Sequence, residues 1–272
     1  MGRRREAPVA AILVALLAVG VVGGTGYAWS RWNDQVATDT DVESVVDPGS
    51  RDEDLPDAPG LPTAEPEPEQ PAYEPPTFST LTPTANRPRP VLLLVGDGWA
   101  AGDGASGDDA SYAARLGNEL GWDVRVVAEP GASYVSPGES GATVSDLWSD
   151  APLAEIDPDA VLVQADYAGP DPDVDAVTSA IAEFGDRIAA DLPDAPMVAI
   201  SSFRPDGVSA KDETAMTQAW RAVEDTLVLR PTKQGFADLP TGPAGNPLDA
   251  GHELIATSLE AAFREAGLVP GG

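Results

Sequence analysis

Hydrophobic residues in the C-terminal two thirds of the chain fall into short continuous runs, which are typical of strands buried on both faces of a parallel sheet. The runs are Val91–Val95, Val124–Ala128, Ala160–Gln164, Met197–Ser201 and, more weakly, Leu227–Leu229. Between them, apolar residues spaced by three or four predict helices. These positions are Tyr112, Leu116 and Leu120; Val174, Val177, Ile181, Phe184 and Ile188; Met216, Trp220 and Val223; and Leu254, Leu259 and Phe263. The alternation predicts a three-layer α/β/α sandwich with a mainly parallel five-stranded sheet.

The first 30 residues have the pattern of a membrane anchor. Three arginines at positions 3–5 precede 24 uncharged residues, Ala7–Ser30, and about 20 apolar residues are enough to cross a bilayer. The positive-inside rule makes residues 1–6 a cytoplasmic basic tip and residues 7–30 one transmembrane helix, so the C-terminal domain is expected outside the cytoplasm. The alternative is a signal peptide cleaved near Gly26–Ala28.

The sequence that follows the anchor is dominated by proline and acidic residues. Residues 33–90 hold 12 of the 27 prolines and 13 acidic residues, against 3 basic ones. Such a composition offers little apolar surface to bury and resists helix and strand formation. We expect residues 31–89 to form a disordered stalk and residues 90–270 to form the globular domain.

Composition narrows the chemistry of the chain. The net charge of −29 argues against nucleic acid as a partner, because phosphates are bound by clustered Lys and Arg. No cysteine is present, which excludes disulfides and thiolate metal sites, and His252 is the one histidine. The acids Asp103, Asp108 and Asp109 do not have the spacing of an EF-hand loop. We therefore expect no metal and no cofactor.

The segments that follow the predicted strands carry the candidate chemistry, because parallel sheets place their sites beyond the carboxyl ends of the strands. They read "GDGWAAGDGA", "EPGASYVSPG" and "VLVQADYAGPD", and "GPAGNPLDAGHELIA" precedes the last predicted helix. Together they resemble the GDSL/SGNH hydrolase family over residues 89–268. The resemblance implies a flavodoxin-like sheet and, in active members, a Ser-His-Asp acyl-transfer site with an oxyanion hole that includes a Gly amide and an Asn side chain.

When the family's site residues are aligned one by one with this sequence, the resemblance implies a site that lacks the reactive groups of active members. Gly98 stands where the family has its nucleophilic serine, and Gly131 matches the retained glycine of the second segment. The oxyanion Asn corresponds to Ala168, the catalytic His to Asn246, and the catalytic Asp to Pro243. Without a hydroxyl at residue 98, covalent acyl transfer is lost, so we expect an inactive, degenerate site.

Two alternatives would retain or replace part of the catalytic set. Asp249 and His252 form a literal Asp-x-x-His. However, "NPLDAGHELIA" matches the family pattern His-Pro-x-x-x-Gly-His-x-x-Ile-Ala over its length, and this match implies that His252 is a packing or capping residue. Alternatively, Ser133 could form a displaced triad with His252 and either Asp166 or Asp249. The first arrangement still leaves residue 98 without a hydroxyl. The second, with Ser133 as the nucleophile, would make the protein an active esterase or acyl hydrolase.

The expected function of a degenerate site is binding. Asp97, Trp99, Tyr134 and Tyr167 fall on strand-end segments that should converge, and they are the candidate ligand-binding residues. A cell-envelope glycan, an acylated ligand or a partner protein are the expected occupants. The remaining alternative is an envelope scaffold that binds no small ligand.

Overall fold

The computed structural model describes residues 73–165, 173–201, 210–231 and 239–270, with only the backbone given for residues 210–212. They belong to one compact unit that spans residues 72–272. The predicted basic tip, the predicted transmembrane helix and most of the predicted stalk lie outside these ranges. Within the ranges, no helix combines the length and the hydropathy that a bilayer span requires.

Five strands form one sheet, and every neighbouring pair in it is parallel. Their bounds are β1 Val91–Gly96, β2 Asp123–Ala128, β3 Ala160–Gln164, β4 Met197–Ile200 and β5 Thr226–Leu229. The spatial order is β2-β1-β3-β4-β5, the flavodoxin-like order. The five apolar runs of the sequence are these five strands, so the predicted sheet is confirmed.

Helices connect the strands. Those in the described ranges are α1 Gly98–Ala101, α2 Tyr112–Leu120, α3 Val144–Asp150, α4 Leu153–Ile156, α5 Val174–Asp191, α6 Ala210–Ala222 and α7 Asp249–Glu265. The apolar spacing predicted α2, α5, α6 and α7. It missed α1, α3 and α4, because four to seven residues are too few to show a helical period.

The helices cover both faces of the sheet. Leu92 and Leu94 of β1 lie in a hydrophobic cluster that contains the inner faces of α2 and α7. Leu93 and Val95 lie in a second cluster on the other face, together with α5 and α6. Since successive strand side chains point to opposite faces, the two clusters are the two cores of the predicted three-layer sandwich.

The domain begins earlier than the sequence predicted. Residues 73–89, assigned above to the disordered stalk, run along the amino-terminal edge of the sheet. Phe78 N donates to Ala266 O at 2.9 Å and Leu81 N donates to Leu268 O at 3.0 Å, just past the end of α7. Arg87 pairs with Asp157 and Asp159, directly before β3. The proline-rich composition of this segment gave no sign of these contacts in the sequence, because they depend on a few anchoring residues.

Tyr73 holds the start of this segment against the outer edge of β5. Its hydroxyl donates to Thr226 O and accepts from Val228 N, both at 3.0 Å, and Arg221 lies over its ring at 4.2 Å. Burial raises the pKa of the Tyr73 hydroxyl, so the hydroxyl stays protonated and can both donate and accept. It satisfies two backbone groups on the edge of β5, which is the last strand of the sheet among the residues that the structure describes.

Tyr73→Phe is expected to lower the free energy of unfolding by about 1–2 kcal/mol, because it leaves those two backbone groups without their partner. Urea unfolding of the full chain measures the effect. Ser79→Ala, an exposed position in the same segment, is the matched control and should stay within about 0.5 kcal/mol. Equal stability of Tyr73→Phe and wild type would show that the segment is not anchored at Tyr73.

Candidate functional site

A tight turn at the carboxyl end of β1 builds the floor of the candidate site. The Asp97 carboxylate caps α1 by accepting from Trp99 N at 2.9 Å. The helix stops after one turn at Gly102, whose φ of +98° is a left-handed conformation that favours glycine. The chain then turns back, and Asp103 N donates to Gly98 O at 2.7 Å. The turn therefore returns Asp103 to the position of Gly98.

The carboxylate of Asp103 occupies the space that a side chain at position 98 would need. A Cβ built on Gly98 would overlap Asp103 Oδ2 and lie 2.9 Å from Asp103 Cγ. Gly98 itself is buried, whereas Asp103 is partly exposed. A glycine at residue 98 is thus explained by packing, because the absent side chain makes room for a carboxylate.

The loop after β2 closes the second side of this floor. Pro130 Cα would lie 3.2 Å from a Cβ at position 98, so the loop reaches the end of β1. Gly131 follows, with a φ of +80° that favours glycine. Glu129 holds the loop by accepting hydrogen bonds from Ser140, and these bonds lower the pKa of the Glu129 carboxyl. The structure therefore brings the segments of Gly98 and Gly131 together, as the motif order predicted.

The loop before α7 supplies Asn246 from a third direction. Asn246 Oδ1 accepts from Trp99 Nε1 at 3.2 Å, and its Cβ would lie 3.0 Å from a Cβ at Gly104. Asn246 thus lies beside the turn that carries Gly98 and Asp103, while Pro243 is exposed on the same loop. The position that the resemblance assigns to the catalytic histidine therefore lies beside the turn that carries the position assigned to the nucleophile.

His252 is buried in the first turn of α7 and joins three parts of the chain. Its Nδ1 accepts from Tyr112 N at 3.2 Å, its Nε2 donates to Asp103 O at 3.1 Å, and its ring stacks on Tyr112. Burial lowers the pKa of the imidazole, which keeps it neutral, as a ring that accepts at one nitrogen and donates at the other must be. Both nitrogens are engaged by the main chain, as expected for a packing histidine.

Asp249 and Ser133 do not complete a triad with His252 in this structure. The Asp249 carboxylate accepts from Ser106 N at 2.8 Å and from Ser106 Oγ at 2.7 Å, and these bonds lower its pKa. Ser133 Oγ accepts from Val135 N at 3.2 Å and Ser136 N at 2.8 Å, a turn within its own loop. Asp166, the other carboxylate considered for a displaced triad, lies outside the described residues.

The aromatic residues expected to converge on a cleft are separated by the sheet. Trp99 and Tyr134 are each 4% exposed and belong to different core clusters, one on each face. Tyr134 OH accepts from Trp220 Nε1 at 3.2 Å in its cluster. The structure therefore places these two rings in the cores rather than side by side, because both have apolar surface to bury. Tyr167 and Ala168 lie outside the described residues.

Acidic residues near the turn are spread apart. Asp108 and Asp109 are exposed in a 3₁₀ turn, Asp108–Ala110, ahead of α2, while Asp103 points toward Gly98. Among the residues that the structure describes, no group of three or more His, Asp or Glu side chains is placed to hold a metal ion.

The chain is similar to several solved structures. No protein-family model and no curated protein sequence matches the chain. A carbohydrate esterase family 2 enzyme from Corynascus thermopiles (Myceliophthora fergusii) superposes with a TM-score of 0.56 and 21% identity, over 68% of each chain. A GDSL-like lipase from Bacteroides ovatus gives 0.50 and 18%, over 65% of this chain and 53% of that one.

A third structure is a carbohydrate esterase described as having an active site with divergent catalytic and non-catalytic binding functions. It superposes with a TM-score of 0.53 and 13% identity, over 65% of this chain and 68% of its own. The fold is that of the GDSL/SGNH hydrolases. The resemblance drawn from the four segments is confirmed at the level of the fold, since identities this low carry no further conclusion.

Within this GDSL/SGNH hydrolase fold, sequence reasoning did not foresee the position of Asp103. The sequence places Asp103 only in an acidic group with Asp108 and Asp109 that lacks the spacing of an EF-hand loop. The available signal was local: a glycine at residue 102, five residues after the capping Asp97, is where a one-turn helix would end. That signal predicts a sharp turn, but the return of the carboxylate to Gly98 is visible only in three dimensions.

Proposed function

We propose that this domain is a non-catalytic binding domain on a GDSL/SGNH hydrolase fold, and that it takes a saccharide in the cleft at the carboxyl end of β1. The observation that carries the proposal is Gly98, which has no side chain and has the Asp103 carboxylate in the space above it. Acyl transfer needs a nucleophile at this point, and a glycine supplies none.

Electrostatics at the turn supports the loss of catalysis independently of the missing hydroxyl. Acyl transfer develops negative charge on the substrate oxygen, and active sites place hydrogen-bond donors around that oxygen. A carboxylate about 4 Å away would oppose the charge by roughly 4 kcal/mol at an effective dielectric constant of 20. By itself that corresponds to a rate lower by about three orders of magnitude.

The hydrogen bonds of His252 and Ser133 also favour a binding role over an esterase with displaced catalytic residues. A general base must reach the proton that it removes, and His252 has both ring nitrogens bound to main-chain groups of Tyr112 and Asp103. Ser133 Oγ is held in a turn of its own loop. The active-esterase alternative therefore has less support than binding.

Gly98→Ser is expected to give no esterase activity beyond that of wild type, because the added hydroxyl would have no histidine as its general base: Asn246 stands at that position, and both ring nitrogens of His252 are bound to main-chain groups. The measurement is hydrolysis of p-nitrophenyl acetate by the purified full-length chain. Gly98→Ala is the matched control, since it adds the same Cβ without the hydroxyl. Turnover by wild type that Ser133→Ala abolishes would overturn the proposal, and so would activity gained by Gly98→Ser over Gly98→Ala.

A saccharide is proposed as the ligand because carbohydrate esterases recur among the solved structures of this fold. One of them, from Clostridium thermocellum, is in complex with cellohexaose, and another is described as combining catalytic with non-catalytic binding. Cellohexaose should raise the melting temperature of the full-length chain in a concentration-dependent way, since a ligand that binds only the native state stabilises it. An unchanged melting temperature with cellohexaose and with xylo-oligosaccharides would argue for the scaffold alternative.

The proposed setting of the domain is the outer side of a cell membrane, with residues 7–30 as the anchor. The support is the uncharged 24-residue run behind three arginines. Membrane fractions washed with alkaline carbonate should retain the full chain. Release of the protein by this wash would favour the cleaved signal peptide.

A further inference from the structure

The cleft that the previous section proposes carries an acceptor where an active GDSL/SGNH hydrolase would carry its nucleophile. The main chain of Asp103 is held at both ends, because its N–H donates to Gly98 O and its carbonyl accepts from His252 Nε2. Its carboxylate has no hydrogen-bond partner within the described part of the chain and is partly exposed. The backbone thus fixes the residue, and the carboxylate is left to bind something else.

We infer that Asp103 selects a saccharide with a free hydroxyl at this position over the same saccharide bearing an O-acyl group; this inference rests on the proposed binding function. An ionised carboxylate only accepts hydrogen bonds. A sugar hydroxyl can donate to it, whereas acylation removes the donor and adds a carbonyl that only accepts. The specificity is therefore reversed relative to an esterase, which must hold the acylated form.

Asn246, which lies beside the same turn, supports this inference. Its Oδ1 is used by Trp99 Nε1 at 3.2 Å, so the part of its amide that remains for a ligand is the NH₂ group, a donor. A site that offers a donor as well as an acceptor suits a hydroxyl, which can give one hydrogen bond and receive one. Gly98 contributes by having no Cβ, since a Cβ there would displace the carboxylate.

The test compares one saccharide in two states. Acetylated xylo-oligosaccharides are titrated into the full-length chain by calorimetry before and after mild alkaline removal of their acetyl groups. Wild type should bind the de-acetylated form about tenfold more tightly or better, as expected for a hydrogen bond to a charged group. Asp103→Asn should reduce this preference to within about threefold, and Asp109→Asn, an exposed acid on the same loop, should leave it unchanged.

The outcomes separate this inference from the proposed function. Binding of both forms with equal affinity, or tighter binding of the acetylated form, would overturn the inference and leave a binding domain in place. A preference that survives in Asp103→Asn would overturn it as well. Binding of neither form would remove the proposed saccharide ligand and the inference with it. The melting temperature of each variant, and the same titration with Asp103→Ala, show that any loss comes from the side chain and not from misfolding.

Discussion

Gly96→Ala is expected to destabilise the domain by about 3 kcal/mol or more and to lower its melting temperature by about 10 °C. A Cβ at the last residue of β1 would overlap the carbonyl oxygen of Gln164 on β3 and lie 2.8 Å from Ala100 Cβ. Gln164 O is a main-chain atom, so it cannot move aside by a change of side-chain rotamer. The same carbonyl accepts from Asp97 N, and Gly96 O accepts from Glu129 N, so relief would require shifting the turn that carries the site.

Thermal unfolding followed by circular dichroism measures this effect. Gly107→Ala is the matched control, because Gly107 is exposed, has an extended φ of −176° and would have only Asp109 Oδ1 near its Cβ, at 3.2 Å. The control should stay within about 0.5 kcal/mol of wild type. A Gly96→Ala protein as stable as the control would contradict the close approach of β1 to β3.

His252→Ala is expected to cost about 4 kcal/mol, the second large effect. The imidazole is fully buried and is the partner of Tyr112 N and Asp103 O. Its removal leaves a cavity as well as two buried main-chain groups without partners. Glu253→Ala is the control, because Glu253 is the next residue, is exposed, and forms a weak surface ion pair with Arg115 at 3.6 Å. The stability of this variant should stay within about 0.5 kcal/mol of wild type.

The same histidine predicts a pH dependence with a definite sign. Burial lowers the pKa of His252 in the folded state, so the unfolded chain takes up a proton first as the pH falls. The stability that His252 contributes is therefore complete above about pH 6.5 and is lost below it, by at most ~1.4 kcal/mol per pH unit. Asp249 and Asp103 favour the charged ring, whereas Arg115 opposes it.

Urea unfolding between pH 5 and pH 7 isolates this contribution when wild type is compared with His252→Gln. The carboxyl groups of the domain titrate in both proteins, so the difference in slope belongs to the histidine. Wild type should lose more stability than the variant as the pH falls. Parallel curves would show that the imidazole is not buried as a neutral ring.

The parts of the fold that were predictable are those set by local sequence. A run such as Val91–Val95 is too apolar for an exposed strand, and the spacing of Val177, Ile181 and Phe184 allows one buried helical face. Residues 73–89 were assigned to the stalk because proline and acidic content outweighed Tyr73, Phe78 and Leu81. Those three anchors are far apart in sequence from what they contact, and local composition carries no information about such contacts.

The candidate site also has a part that the sequence predicted and a part that it did not. The motif order singled out Gly98 and Asn246, and the structure places Asn246 beside the turn that carries Gly98. The motif order did not reveal that Trp99 and Tyr134 lie in different cores, because the side chains of neighbouring strand-end loops can point to either face of a sheet. The placement of Asp103 depended on Gly102 turning the chain back, and a one-turn helix is too short for a periodic pattern to detect.

The segment from Tyr73 to Val91 lies at the edge of the sheet opposite to the proposed site. It runs past the starts of β5, β3 and β2, where Tyr73, Arg87 and Arg89 bind, while Gly98 and Asp103 lie beyond the opposite ends of the strands. The six residues of β1 separate the two edges by about 20 Å. A saccharide bound at the proposed site would therefore lie at the edge of the sheet opposite to Tyr73.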